Sequence, residues 1–253
     1  MDHAARADAS YYAAWRALTR AMDGGIVSES DGLLLTVTGL PVAWLNIAFV
    51  TRPLPRPREQ LAAAMALYGD RGLGFVVRIR EGLDPAAESA CEALGMPYSD
   101  TVPGMVSTTM AAPDPPAGLH IEAVSTPAQL ADFCAVIGRG YEMPEEHARA
   151  MFPLAILQEP EVESFLGYCD GVPAATSTLV YTGRVAGVHN VATVPEYRKR
   201  GFGEALTWHG VAAGAGYGCD MAALQASEMG QPIYERMGFR VLSPYRTFHL
   251  PGV

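Results

Sequence analysis

Val191-Ala-Thr-Val-Pro-Glu-Tyr-Arg-Lys-Arg-Gly-Phe-Gly203 is the stretch whose reading decides the fold. An apolar run suited to a strand ends at Pro195. A short basic turn follows, and an alanine-rich helix begins near Glu204. Glycines at 201 and 203 let the backbone come close to a ligand and expose successive N–H groups. The new helix aims its positive end at the same point. Arg198, Lys199 and Arg200 add mobile positive charge, so the segment is suited to cradle a pyrophosphate.

The spacing narrows what such a cradle holds. A Gly-x-Gly-x-x-Gly fingerprint fails because Leu206 occupies the third position, and no Gly-Lys-Ser/Thr stands at the turn. What stands is Arg198-Lys199-Arg200-Gly201-Phe202-Gly203, which resembles the Arg/Gln-x-x-Gly-x-Gly/Ala signature of the GNAT superfamily of N-acetyltransferases. A second block, Leu224-Gln-Ala-Ser-Glu-Met-Gly-Gln-Pro-Ile-Tyr-Glu-Arg-Met-Gly-Phe239, resembles that family's strand, helix start and Tyr-x-x-x-Gly-Phe ending. Together the two blocks carry the resemblance over residues 118–253.

The resemblance implies an acetyl-CoA-dependent N-acetyltransferase, acting on a primary amine of a small molecule or peptide by direct attack on the thioester, with no metal. It implies that the pantetheine arm pairs with the backbone of Val191, Ala192 and Thr193, and that Arg198, Lys199, Arg200, Gly201, Phe202 and Gly203 hold the pyrophosphate. Tyr234 takes the place of the family's tyrosine that protonates the departing thiolate. A phenol with a solution pKa near 10 can protonate a thiolate whose thiol has a pKa of roughly 8 to 9. Ser227 falls where many members carry a cofactor-touching asparagine, although serine at such a place also caps helices. Gln225, at the strand end, is a further side chain that can face the site. A different class also fits these residues: an acyl-CoA-binding regulatory or scaffold protein without turnover.

The base is harder to read. Strand residues two apart share a face, which groups Gly187, His189 and Val191. In arylalkylamine acetyltransferases two histidines match Gly187 and His189, and only the second is present here. His189 suits proton acceptance from an amine through water, or hydrogen bonding within the sheet. Asn190 points the other way and, like Asn46, reads as structural. Glu142, Glu145 and Glu146 lie where the family covers its acceptor, but acids at a helix start also complement its dipole.

The chain also repeats itself. Val42–Val50 overlies Ala186–Val194, with Asn46, Ala48 and Val50 meeting Asn190, Ala192 and Val194. Each strand enters a Pro- and Arg-bearing turn and then an alanine-rich helix, Arg58–Tyr68 or Glu204–Tyr217. A second strand, Phe75–Ile79 or Cys219–Ala223, and a shorter helix follow. This predicts an α/β (mixed α+β) fold of two GNAT-like lobes, each a mostly antiparallel twisted sheet flanked by helices. The Pro-rich Ala111–Gly118 marks the boundary, giving a degenerate lobe over 1–112 and a catalytic one over 118–253. The first lobe is read as degenerate because Arg52-Pro-Leu-Pro-Arg-Pro-Arg58 replaces the cradle, and prolines lack N–H donors.

Composition sets the outer bounds. The 253 residues are 49% hydrophobic, enough for a well-packed core, and no apolar run reaches the roughly 20 residues of a membrane span. The polar start lacks an apolar signal core, which predicts a cytoplasmic protein, monomer or homodimer, with no membrane partner. Cys91, Cys134, Cys169 and Cys219 are too scattered for a metal site and read as reduced and buried. A net charge of −9 argues against nucleic acid as a partner.

Overall fold

Local chemistry sets most element boundaries. Thr126 accepts the Gln129 N–H while the Gln129 side chain returns to the Thr126 N–H, a reciprocal cap that starts the helix Pro127–Gly140. Asp2 caps the first helix through the Ala5 N–H, and Asp84 caps another through the Ala87 N–H. The structure is a computed structural model that describes residues 2–250. In chain order the elements are α1 His3–Ala21, β1 Ile26–Ser30, β2 Leu33–Val37, β3 Ile47–Val50, α2 Pro57–Gly69, β4 Val76–Arg80, α3 Pro85–Ala93 and β5 Tyr98–Ser107. There follow β6 Leu119–Ala123, α4 Pro127–Gly140, α5 Glu145–Met151, β7 Val162–Cys169, β8 Val172–Thr182, β9 Val185–Thr193, α6 Phe202–Gly216, β10 Met221–Gln225, α7 Gln231–Arg236 and β11 Arg240–His249. This is the mixed α/β order that the sequence predicts.

The elements gather into two compact units, one of Met1–Met22 with Met105–Arg240, the other of Asp23–Gly104 with Val241–Val253. In the first, β6, β7, β8 and β9 form an antiparallel meander, and β10 then adds parallel to β9. In the second, β1, β2 and β3 are antiparallel, β4 adds parallel to β3, and β11 pairs antiparallel with β4. The repeated strand–helix–strand of the sequence is thus a parallel crossover in each unit. The units divide the chain differently from a single cut at 111–118. Helix α1 belongs with 105–240, because its small face of Ala7, Ser10, Ala14, Ala17 and Ala21 is buried there, while β11 belongs with β4.

Two segments differ from expectation for identifiable reasons. Val42–Val50 is not one strand: a 3₁₀ turn at Ala43–Leu45 precedes β3. Asn46 enforces the break, since its side chain accepts from the Thr38 N–H and donates to the carbonyls of Leu40, Val42 and Gly74. The sequence also suggests a single helix near Pro144–Leu157, and this too is cut, because Pro153 separates α5 from a 3₁₀ turn at Leu154–Gln158. Among the described residues, no helix is long and apolar enough to cross a membrane.

Candidate active site

The site begins where two parallel strands part. Strands β9 and β10 pair at Val185–Met221, Ala186–Ala222 and Gly187–Ala223 and then stop, although β9 runs on to Thr193 and β10 to Gln225. At the same level β9 carries a bulge: its register with β8 shifts, and Asn190 adopts φ 53°. The bulge reverses which side chains face which layer. Before it, Ala186 and Val188 lie under Gly214 and Gly210 of α6; after it, Val191 and Thr193 lie beside Gly203 of the same helix. Gly187 faces Ser10 of α1, and Ala192 faces Gly140 of α4. The simple alternation that grouped His189 with Val191 therefore does not hold. His189 shares the α1 side with Gly187, while Val191 packs on the α6 side among Trp208, Val188 and Tyr234.

Past the end of β9, Pro195–Tyr197 makes one 3₁₀ turn, and Lys199 and Gly201 take left-handed φ values of 63° and 79°. These turns aim the chain so that α6 starts at Phe202, two residues earlier than its alanine run suggests. Phe202 is buried and anchors the first turn. The three basic residues do different things. Arg198 donates from Nε to the Thr193 carbonyl (3.3 Å) and from a terminal nitrogen to the Gly140 carbonyl (2.9 Å), tying the end of β9 to the end of α4. Arg200 lies over the rings of Tyr197 and Phe202, 5.4 and 4.7 Å from their centroids. Lys199 is exposed. A backbone turn of this kind, opening a 15-residue helix, fits an anionic diphosphate.

Tyr234, on α7, stands at the parting edge-on to Phe239. Burial pushes its pKa up, with a hydrogen bond to the Thr207 side chain acting the other way, so the phenol keeps its proton at neutral pH. A second phenol, which sequence reading missed, joins it. Tyr141 donates its hydroxyl to the Val191 carbonyl (3.3 Å). Of the Tyr141 surface 43% meets solvent, but its hydroxyl end is shut in, and burial, then the nearby Tyr234 phenol, push its pKa up. Tyr141 ends α4 and Thr207 lies inside α6, so no local motif marks either of them.

His189 is cut off from solvent at Nε2 and has no hydrogen-bond partner there. Burial lowers its pKa to about 4, so the ring is neutral at pH 7. Ser227 closes the turn before α7: its hydroxyl accepts the Gly230 N–H at 3.1 Å. Glu145 is paired with Arg149 along α5 and Glu146 sits in the same first turn, whereas Glu142, at φ 55°, reaches within 3.9 Å of Arg198. An open groove of about 490 Å³ lined by His120, Glu122, Tyr168 and Asp170 lies along β6 and β7, on the opposite flank of the meander from the β9–β10 parting. Among the described residues, no group of three His, Cys, Asp or Glu side chains could hold a metal.

Comparison with known proteins agrees with this geometry. Residues 131–239 match the Acetyltransferase (GNAT) family. A GCN5-related N-acetyltransferase from Kribbella flavida superposes with a TM-score of 0.77 at 21% identity, covering 100% of this chain and 97% of that one. One from Sphaerobacter thermophilus gives 0.61 at 16% identity, covering 88% and 78%. A tandem GNAT protein from the clavulanic acid biosynthesis pathway gives 0.57 at 12%, covering 86% and 77%. No curated protein sequence matches. These likenesses share the fold, and the match over 131–239 spans the cradle, the parted strands and Tyr234: the chain carries a GNAT acetyltransferase domain, the domain of an acyltransferase.

Proposed function

We propose that this protein transfers the acetyl group of acetyl coenzyme A to a primary amine of a small molecule or peptide. The observation that carries the reading is the parting of β9 from β10 directly before the Arg198–Gly203 turn, with Tyr234 at the opening. A strand edge without a strand partner accepts an extended amide-bearing arm as it would another strand, and the turn receives the diphosphate at the arm's other end. The Val191 and Thr193 carbonyls each keep a second lone pair beside the bond from Tyr141 or Arg198. Lys199 and the backbone of Gly201–Gly203 meet the anion, while Arg198 and Arg200 fix the turn's form. A side chain on Gly203 would stand 3.3 Å from the Thr193 hydroxyl, so glycine keeps the approach to the strand end open.

Acetyl coenzyme A supplies an activated acyl carbon and a thiolate leaving group. The residues at the parting position a neutral amine so that its lone pair forms the new N–C bond as the C–S bond breaks. Tyr234 gives its proton to the departing sulfur and is reprotonated from water, to which the amine nitrogen releases its extra proton. With a pKa near 4, His189 accepts a hydrogen bond from the amine more readily than it holds a full proton.

The first of the two repeated turns supports a single working site. There the Leu54 N–H is already taken by the buried Asp84 carboxylate at 2.7 Å, and Arg56 pairs with Glu59. A fixed carboxylate stands where an anion would have to bind. Replacing Tyr234 by Phe is the direct test. Turnover measured as free-thiol release should fall by about 10²-fold or more, the usual scale for losing a general acid, while coenzyme A affinity by calorimetry stays within twofold. Equal turnover in the variant would remove Tyr234 from the reaction.

A further inference from the structure

Among the described residues β6 pairs with β7 alone, so its other edge is open. The Val124 N–H goes to the Ser164 carbonyl of β7, and alternation then turns the N–H and C=O of Ile121 and Ala123 outward. The same strand floors the open groove of about 490 Å³. Leu119, Phe165 and Cys169 pack in the core beneath α6, with Ile121 against them. His120, Glu122 and Tyr168 therefore face the other way, His120 standing directly opposite Tyr168 in the antiparallel register. On that side α4 supplies two partners. The Gln129 amide donates to Glu122 at 3.0 Å, and the Tyr168 hydroxyl is hydrogen-bonded to Asp132.

An open strand edge is a template for pairing, and proteins usually cover or interrupt it. Here it runs beside a groove whose lining holds two carboxylates, Glu122 and Asp170, and no lysine or arginine. Glu122 meets Gln129 on one oxygen and His120 on the other, at 3.1 Å, which fixes the carboxylate and leaves lone pairs for a further donor. We propose that β6 and this groove bind an extended basic peptide segment of a partner protein, which adds as a strand to the outer edge of β6 and lays lysine or arginine side chains in the groove. Main-chain bonds to Ile121 and Ala123 supply affinity, and the groove selects the side chains. The Tyr168 ring takes the aliphatic stem and the cation of such a side chain. Asp170 follows Cys169, which stands opposite Leu119, so Asp170 is level with Gly118. It lies four residues from Glu122, or about 13 Å along the strand. Two basic residues four apart in the segment, on one face, match the two acids. The proposal stands apart from acetyl transfer, because the groove is on the opposite flank of the meander from the parting.

The test uses the full chain and a fluorescein-labelled, end-blocked peptide, Ala-Lys-Thr-Ser-Val-Lys-Ala, read by anisotropy at low ionic strength. Binding should saturate. The isomer Ala-Lys-Thr-Ser-Lys-Val-Ala, with the same charge but lysines on opposite faces of a strand, should bind more weakly. Neighbouring residues of a strand turn their N–H groups to opposite sides. Methylating the backbone nitrogens of the two lysines, or instead of the threonine and valine, should therefore weaken binding about tenfold or more in one peptide and spare the other. Glu122→Gln and Asp170→Asn should each weaken binding about threefold, the scale of one partly exposed ion pair, and leave coenzyme A affinity unchanged. No saturable binding, equal binding of the isomer, or full affinity in both variants would overturn the proposal. So would the same response to both methylations, which would leave only diffuse charge attraction. Full competition by spermidine would make a free polyamine the occupant, and a protein dimer that the peptide dissociates would make it a second copy; either result overturns the peptide.

Discussion

An imidazole buried without a partner ties folding to pH. His189 titrates near 4 in the folded chain against 6.5 when exposed. Below about pH 6.5 the unfolded chain takes up a proton that the folded one refuses, so stability falls as pH drops toward 4 and the loss then levels off. At pH 4.5 this one group should cost about 2.5 kcal/mol relative to pH 7. Urea denaturation of the protein and of His189→Gln at both pH values isolates it: the drop should be smaller in the variant by roughly that amount, and an equal drop would mean the ring is solvated. The cysteines behave oppositely. All four are free and buried, and burial holds the Cys91 and Cys134 thiols up at about 12 and 11, which makes them unreactive. Residues marked by a local spacing, such as Tyr234 and Gly201, were legible in the sequence as candidates. Tyr141, Thr207 and Ser10 were not, because only tertiary packing brings them to the parting.

At the scale of elements, the bulge in β9 is the feature that turns a strand into a site. Period-two alternation reads every strand as regular, so the sequence placed Val191 beside His189, on the wrong face. The one hint was an asparagine, a residue that tolerates left-handed φ better than most. Its repeat partner Asn46 shows why the letter alone could not decide: at φ −107° it is no bulge, and its side chain serves four neighbours instead. The variants Asn190→Gly and Asn190→Val separate backbone from side chain. Glycine accepts φ 53° and should keep stability within about 0.5 kcal/mol. Valine should cost about 2 kcal/mol, because a β-branched residue resists that conformation, and it should weaken coenzyme A binding by displacing Val191–Thr193. Calorimetry with both variants decides this, and a valine variant that binds normally would show that the bulge does not shape the cofactor edge. Strand β5 is expected after Leu94-Gly95-Met96 from the repeat alone and without bounds, since Tyr98–Thr101 is exposed, polar and followed by Pro103, giving no apolar alternation to delimit it.

At the scale of the molecule, the repeat was legible and its boundaries were not. Similar strand–helix–strand order shows through residue by residue, but the choice of which unit receives a terminal element depends on long-range packing that leaves no local trace. The proline-rich Ala111–Gly118 marks a linker without marking a point where the chain can be cut. A chain beginning at Ala117 would lack α1, which buries Ala7, Ser10, Tyr11 and Ala17, and would lack Met105 and Val106, both of which are buried. Its β11 would also lose β4, with which it pairs from Tyr245 to His249. Exposing that much apolar surface and unpaired strand edge favours aggregation. The 117–253 chain should therefore express as aggregate or as a loosely packed species, read by size-exclusion chromatography and by loss of near-ultraviolet dichroism. Supplying residues 1–112 as a separate chain during refolding should restore soluble protein, because it returns both missing partners. A soluble, monomeric and catalytically competent 117–253 chain would show that α1 and β4 are dispensable.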